Sequence, residues 1–125
     1  MGLNANILLS NPKNPALLSI PTTALADTGA LHLCIPEHLA LQLSLEVLEQ
    51  REVVVADGSK KVVPYVGPVQ ISFENRNCFT GALVLGDEVL LGVIPMEDMD
   101  LVLVPSLRKV AVNPDNPNLA VSVVK

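Results

Sequence analysis

With 125 residues, 50% of them hydrophobic but only one Tyr, two Phe and no Trp, the chain has the length for one domain packed by aliphatic side chains. Thirteen acidic against eight basic residues leave a formal net charge of -5. That balance, poor in clustered cations and in stacking rings, argues against nucleic acid as a partner. In chain order, residues 7–10 predict a short strand closed by the turn-rich Asn11-Pro12-Lys13-Asn14-Pro15. Residues 16–20 are apolar up to Pro21, and 22–26 predict a buried strand that ends at Asp27-Thr28-Gly29. Residues 31–35 form a second apolar run.

Pro36 suits a first helical turn and Glu37 the positive end of a helix dipole. Leu39, Ala40 and Leu43 share a face at helical spacing, so a short helix is predicted over 36–43. Leu43, Leu45 and Val47 alternate equally well as a strand, and periodicity leaves that boundary open. Asp57-Gly58-Ser59-Lys60 between the β-branched runs 53–56 and 61–63 is the strongest local hairpin signal in the chain. A second hairpin is predicted from 69–73 and 79–85 around Glu74-Asn75-Arg76-Asn77. Gly86-Asp87-Glu88 turns the chain into Val89-Leu90-Leu91-Gly92. One helical turn over 95–99, strands over 101–104 and 110–112, a Pro/Asn loop over 113–118 and a last apolar strand over 119–124 complete the reading. About eight or nine short strands with one short helix predict an all-β barrel or sandwich-like domain.

No run approaches the ~20 apolar residues of a membrane helix, and residues 1–10 carry no basic n-region or long apolar run. A cytoplasmic protein with no membrane partner is therefore expected. Cys34 and Cys78 have no metal-ligand spacing and read as small core residues in a reducing compartment.

The chemistry concentrates at Ala24-Leu25-Ala26-Asp27-Thr28-Gly29-Ala30, one short carboxylate at the tip of an apolar segment followed by a small-residue turn. Two such carboxylates close together share one proton, because mutual repulsion raises the pKa of the pair's second ionisation. The ionised group then activates a water and the protonated one donates to the peptide carbonyl. Thr28 is placed to lock the turn through its hydroxyl, and Gly29 permits close backbone approach. The alternative is an ordinary polar turn, since the tripeptide arises by chance in on the order of a few per cent of chains this long. Only one such segment is present, so a dyad of this kind would need a second copy of the chain.

Other polar residues read as structure. Asp57, beside Gly58, is a turn residue rather than a second catalytic carboxylate. Glu97, Asp98 and Asp100 have no adjacent His or Cys and read as a solvated cluster, so no metal is expected. His32 and His38 have no nucleophile partner in a motif, and Cys34, four residues before His38, reads as core.

The Asp27 segment, the Asp57-Gly58 hairpin and Val89-Leu90-Leu91-Gly92 follow one another in an order that resembles retroviral-type (retropepsin-like) aspartic proteases, small prokaryotic members above all. The likeness spans about residues 18–104, with 105–125 as a C-terminal strand extension of a single domain over 1–125. It implies a small closed acid-protease-like barrel that works as a homodimer on an extended peptide or protein substrate, with no cofactor. It further implies catalytic roles for Asp27, Thr28 and Gly29, and substrate binding by Ala30, Val55, Ala56, Asp57, Gly58 and Ile94, with 53–63 as a flap over the cleft. Leu90, Leu91 and Gly92 would support the catalytic loop from behind. Leu31 and His32 stand where the family has a small polar residue or Asp, and Val93 where retroviral enzymes have Arg. The alternative from another class is a catalytically silent dimerisation or peptide-binding domain of the same fold.

Overall fold

Strand β1 (Leu3–Ser10) alternates strictly, with Ala5, Ile7 and Leu9 buried and Asn4, Asn6 and Leu8 facing out, as a half-buried strand requires. The computed structural model describes residues 3–125. From β1 the chain continues through β2 (Ile20–Ala26), β3 (Leu33–Ile35), helix α1 (Glu37–Gln42) and β4 (Glu46–Val54). The long β5 (Lys60–Phe73), β6 (Arg76–Val84), β7 (Val89–Leu91) and helix α2 (Val93–Asp98) follow. A last hairpin, β8 (Leu101–Val104) and β9 (Lys109–Val112), is joined through a 3-10 turn, Pro105–Leu107.

Six strands close into a barrel in the order β5-β6-β3-β7-β2-β1, with β1 returning to β5 through Leu8–Ser72, Leu9–Ile71 and Ser10–Gln70. Closure leaves no open edge within those six. The all-β closed barrel expected from the sequence is therefore the observed one, with two short helices where one was expected. The second of them, α2, overlaps the helical turn predicted over 95–99, beginning two residues earlier and ending at Asp98. Strand β4 extends β5 on one side, and β9 and β8 extend β1 on the other.

The core is aliphatic. Leu9, Leu33, Val69, Ile71 and Leu91 have no exposed surface, and burying each such side chain stabilises the fold by about 1.5–3 kcal/mol. Helix α1 adds Leu39 and Ala40 and ends at Leu43, also buried, before Ser44 turns the chain with a positive φ of 52°. Strand β4 starts at Glu46, which settles the boundary that periodicity left open. Cys34 and Cys78 are buried free thiols. Burial, reinforced by Asp98, pushes the Cys78 thiol up to about 12.

Three expectations are corrected. Strand β5 runs unbroken through Pro64 and Pro68, joining the two predicted hairpins into one meander. The loop predicted over Glu74–Asn77 shrinks to Glu74-Asn75, with Glu74 at φ 51° and Arg76 and Asn77 already paired in β6. Residues 119–124 form no strand: Leu119, Val121, Val123 and Val124 are exposed, and the Val121 N–H donates to Asp100 Oδ2 instead of a neighbouring strand.

Candidate active site

Strand β7 lies between β2 and β3, parallel to the first and antiparallel to the second, with Leu90 opposite both Leu25 and Cys34. The segment joining β2 to β3 must therefore cross the end of β7, and that segment carries Asp27. Its backbone is held from both sides of the crossing. The Asp27 N–H donates to the Leu91 carbonyl at 3.0 Å, continuing the β2–β7 ladder by one residue. The N–H groups of Val93 and Ile94 donate to the carbonyls of Ala30 and Leu31, each at 3.0 Å. These are N–H groups of the first turn of α2, which have no partner inside a helix, so the helix start and the loop satisfy each other.

Gly92 makes this close approach possible. A Cβ there would stand 2.6 Å from the Leu31 carbonyl carbon and 2.7 Å from the His32 nitrogen, both backbone atoms. Inside the loop, Asp27 Oδ1 accepts the Gly29 N–H at 2.8 Å and the Asp27 carbonyl accepts the Ala30 N–H at 3.1 Å. The bonds that close the turn come from Asp27 and not from the Thr28 hydroxyl, because the carboxylate reaches the Gly29 amide first; Thr28 is exposed. Asp27 itself is half-buried at the tip. Leu31 and Ile94, joined by the Ile94 N–H, are exposed at 57% and 43% and form an apolar pair at the end of this loop.

Strands β4 and β5 leave the barrel as a two-stranded ribbon paired from Glu46–Gly67 to Val54–Lys60. Val55, Ala56, Asp57 and Gly58 form its turn, with Gly58 at φ 85°. Asp57 Oδ1 accepts from the Ser59 hydroxyl at 2.6 Å and the Ser59 N–H at 2.8 Å. Those bonds, the hydroxyl's first, hold the Asp57 carboxyl below the usual range. The turn residue thus spends its carboxylate inside the turn. Asp100 is likewise committed locally, to Asn113, Asn116 and the Val121 N–H.

Cross-strand pairing puts Glu49, Arg51 and Val53 on one face of the ribbon with Tyr65, Val63 and Lys61. Val53, Val63 and Tyr65 on that face pack with Cys34, Leu83 and Leu90. Burial and then the charge of Asp27 push the Cys34 thiol up. His32, just beyond the loop, meets Arg51 Nη1 at 3.3 Å and Tyr65 edge-on at 5.9 Å between ring centroids. Burial, then Arg51, lowers the His32 pKa.

The structure thus brings Asp27, Thr28, Gly29 and Ala30 together with Leu90, Leu91, Gly92 and Ile94. It places Val55, Ala56, Asp57 and Gly58 together at the ribbon's turn. Sequence reasoning missed the group formed by His32, Arg51 and Tyr65. The period-2 spacing of Glu49, Arg51 and Val53 carries the signal, but only the register of β4 on β5 shows what that face meets.

No protein-family model and no curated protein matches the chain. Among solved structures, it is similar to a retropepsin-like aspartic protease from Rickettsia conorii at 15% identity and a TM-score of 0.43, covering 72% of this chain. The chain spans 65% of the length of that structure. It is also similar to a protein of unknown function (DUF785) from Legionella pneumophila, at 14% identity and a TM-score of 0.43, covering 91% of each chain.

Proposed function

We propose that the chain is an aspartic endopeptidase that works as a homodimer, each copy contributing one Asp27 to a shared pair. The observation that carries this reading is the fixation of the Asp27 loop. Backbone bonds to β7 and α2, and the close contact at Gly92, hold a lone carboxylate at an accessible tip. Such over-determined placement of one polar group is what a general acid–base site needs and a surface turn does not. The exposed pair of Leu31 and Ile94 at the end of the loop supports apposition of a second copy about a two-fold axis.

In the pair, one carboxylate is ionised and takes a proton from a water, which attacks the scissile carbonyl. The other, protonated, donates to that carbonyl's oxygen. Collapse of the tetrahedral species expels the amine and returns the pair to its starting protonation. Thr28 and Gly29 complete the loop. Ala30, Ile94 and the ribbon turn Val55, Ala56, Asp57 and Gly58 contact the extended peptide, and Leu90, Leu91 and Gly92 fix the loop from behind. The reaction needs no cofactor.

A peptide-library cleavage assay from mildly acidic to neutral pH tests this. Cleavage by the wild-type chain, lost in Asp27→Asn, is expected; cleavage that survives the substitution sinks the mechanism. Leu31 and His32 in place of a small polar residue after the loop favour the second reading, a silent peptide-binding domain. That reading predicts peptide binding with no cleavage at any pH.

A further inference from the structure

We propose that Arg51 is a carboxylate receptor in the peptide cleft and selects substrates carrying an acidic side chain close to the scissile bond. The inference rests on the peptide-hydrolase reading above and gives it a substrate class.

The chain's only Tyr and one of its two His residues converge on this one cation. The Arg51 guanidinium carbon lies 3.9 Å from the centroid of the Tyr65 ring, a stacking distance at which the ring face attracts the cation. Nη1 donates to His32 Nε2 at 3.3 Å; the lowered His32 pKa keeps that imidazole neutral and able to accept near pH 7. The bare backbone of Gly81 leaves room for the Tyr65 ring, since a Cβ there would come within 2.5 Å of the ring's Cε2 and hydroxyl oxygen. The ring below and the bonds to His32 and Glu49 orient the guanidinium without any ligand, which lowers the entropic cost of binding one.

The bonding leaves capacity to spare. Arg51 has five N–H donors. One goes to His32 and one, from Nε, to Glu49 Oε2 at 2.6 Å. The remaining three have no partner among the described residues and can serve a carboxylate, the group that a guanidinium edge binds in bidentate fashion. The side chain is 36% exposed, so a ligand can reach it, and Glu49 at 54% is a solvent-screened partner of the weak surface kind. Arg51 also shares its ribbon face with Val53 and Val63, which pack with Cys34, and its bond to His32 ties that face to the segment that follows the Asp27 loop. A peptide held under the ribbon passes this face. The chain's charge of -5 disfavours acidic peptides in general, so a preference for them must arise locally, at a cation built for it.

The test uses peptide pairs that differ only by Glu or Gln, scanned along each position. Cleavage by the wild-type chain is read beside binding to the Asp27→Asn chain by fluorescence anisotropy. A preference for Glu of roughly tenfold at one position is expected in both readouts, as a charge-assisted hydrogen-bonded pair supplies. Arg51→Met brings that ratio to about one, and Arg51→Lys keeps part of it, since an ammonium retains charge without the fork. A Glu/Gln ratio near one at every position in the wild type overturns the proposal. So does an Arg51→Met chain that loses Glu and Gln peptides equally, the signature of a purely structural latch. If Arg51→Met does not fold, the Arg51→Lys ratio decides: an unchanged ratio means that charge alone suffices and the receptor geometry is wrong. Glu-selective binding without any cleavage sinks the peptidase reading and leaves the receptor standing; cleavage with a flat ratio does the reverse.

Discussion

Gly92 is the position whose replacement the loop tolerates least, because the atoms a Cβ would meet are backbone atoms of Leu31 and His32 that cannot rotate away. At Gly29 the nearest atom is Asp27 Oδ1 at 3.1 Å, tighter than an ordinary contact but on a side chain that can yield. Gly92→Ala is expected to cost about 1–3 kcal/mol, as overpacking does, and Gly29→Ala less. Urea denaturation measures both, and a Gly92→Ala chain as stable as wild type contradicts the description of the loop. His32 makes the stability depend on pH. Its folded pKa lies below the ordinary imidazole value of about 6.5, so the unfolded chain binds that proton more readily. Stability from this group is fully present above that value and is lost as pH falls from it through the folded pKa. His32→Gln is expected to flatten that part of the stability–pH curve, ahead of the more acid range in which Asp57 and Asp100 protonate. An unchanged slope contradicts the prediction.

Among the elements, the C-terminal segment departs most from its sequence pattern. Leu119, Val121, Val123 and Val124 read as strand residues, but among the described residues no strand lies alongside them, and a strand exists only with a partner. The preceding turn is instead clamped by side chains. Asn75 Nδ2 donates to the Pro117 carbonyl at 2.8 Å, Arg76 Nη2 donates to the Asn116 carbonyl, and Asp100 accepts from Asn116 Nδ2 at 2.7 Å. Arg76 is 2% exposed, and its Nε and Nη1 have no partner among the described residues. A buried cation so incompletely bonded carries a desolvation cost that one carbonyl and the charge of Asp100 offset only in part. Arg76→Met, which keeps volume and removes charge, is therefore expected to be neutral or stabilising, whereas Arg76→Ala costs about 2–4 kcal/mol through the cavity it leaves. Equal losses in the two variants, read from urea midpoints, contradict this account. The ribbon shows the opposite case. Asp57-Gly58 between β-branched runs is legible as a turn because the positive φ and the Asx bonds are local chemistry. The continuity of β5 is not legible, since Pro64 and Pro68 read as breaks. Pro64 is tolerated because β5 there pairs with β4 on one edge only, and Pro68 falls in the irregularity between Val66 and Val69.

For the whole molecule, the sequence pattern carries the barrel because alternation in β1, β5 and β6 is set by one face being buried. It also carries the Asp27 loop and its Leu90-Leu91-Gly92 support, which are contiguous motifs. It does not carry the joining of His32 to Arg51 and Tyr65, which depends on the ribbon register across long sequence separations. Nor can one chain display a paired carboxylate. Sharing of the chemistry between two copies is tested by mixing wild-type with Asp27→Asn chains and allowing them to exchange. If each active unit needs Asp27 from both copies, an equimolar mixture keeps about one quarter of the activity of the same total of wild-type chain, the share of wild-type homodimers. Activity of about one half, proportional to the wild-type chain alone, would contradict the shared pair and place the whole reaction within a single copy.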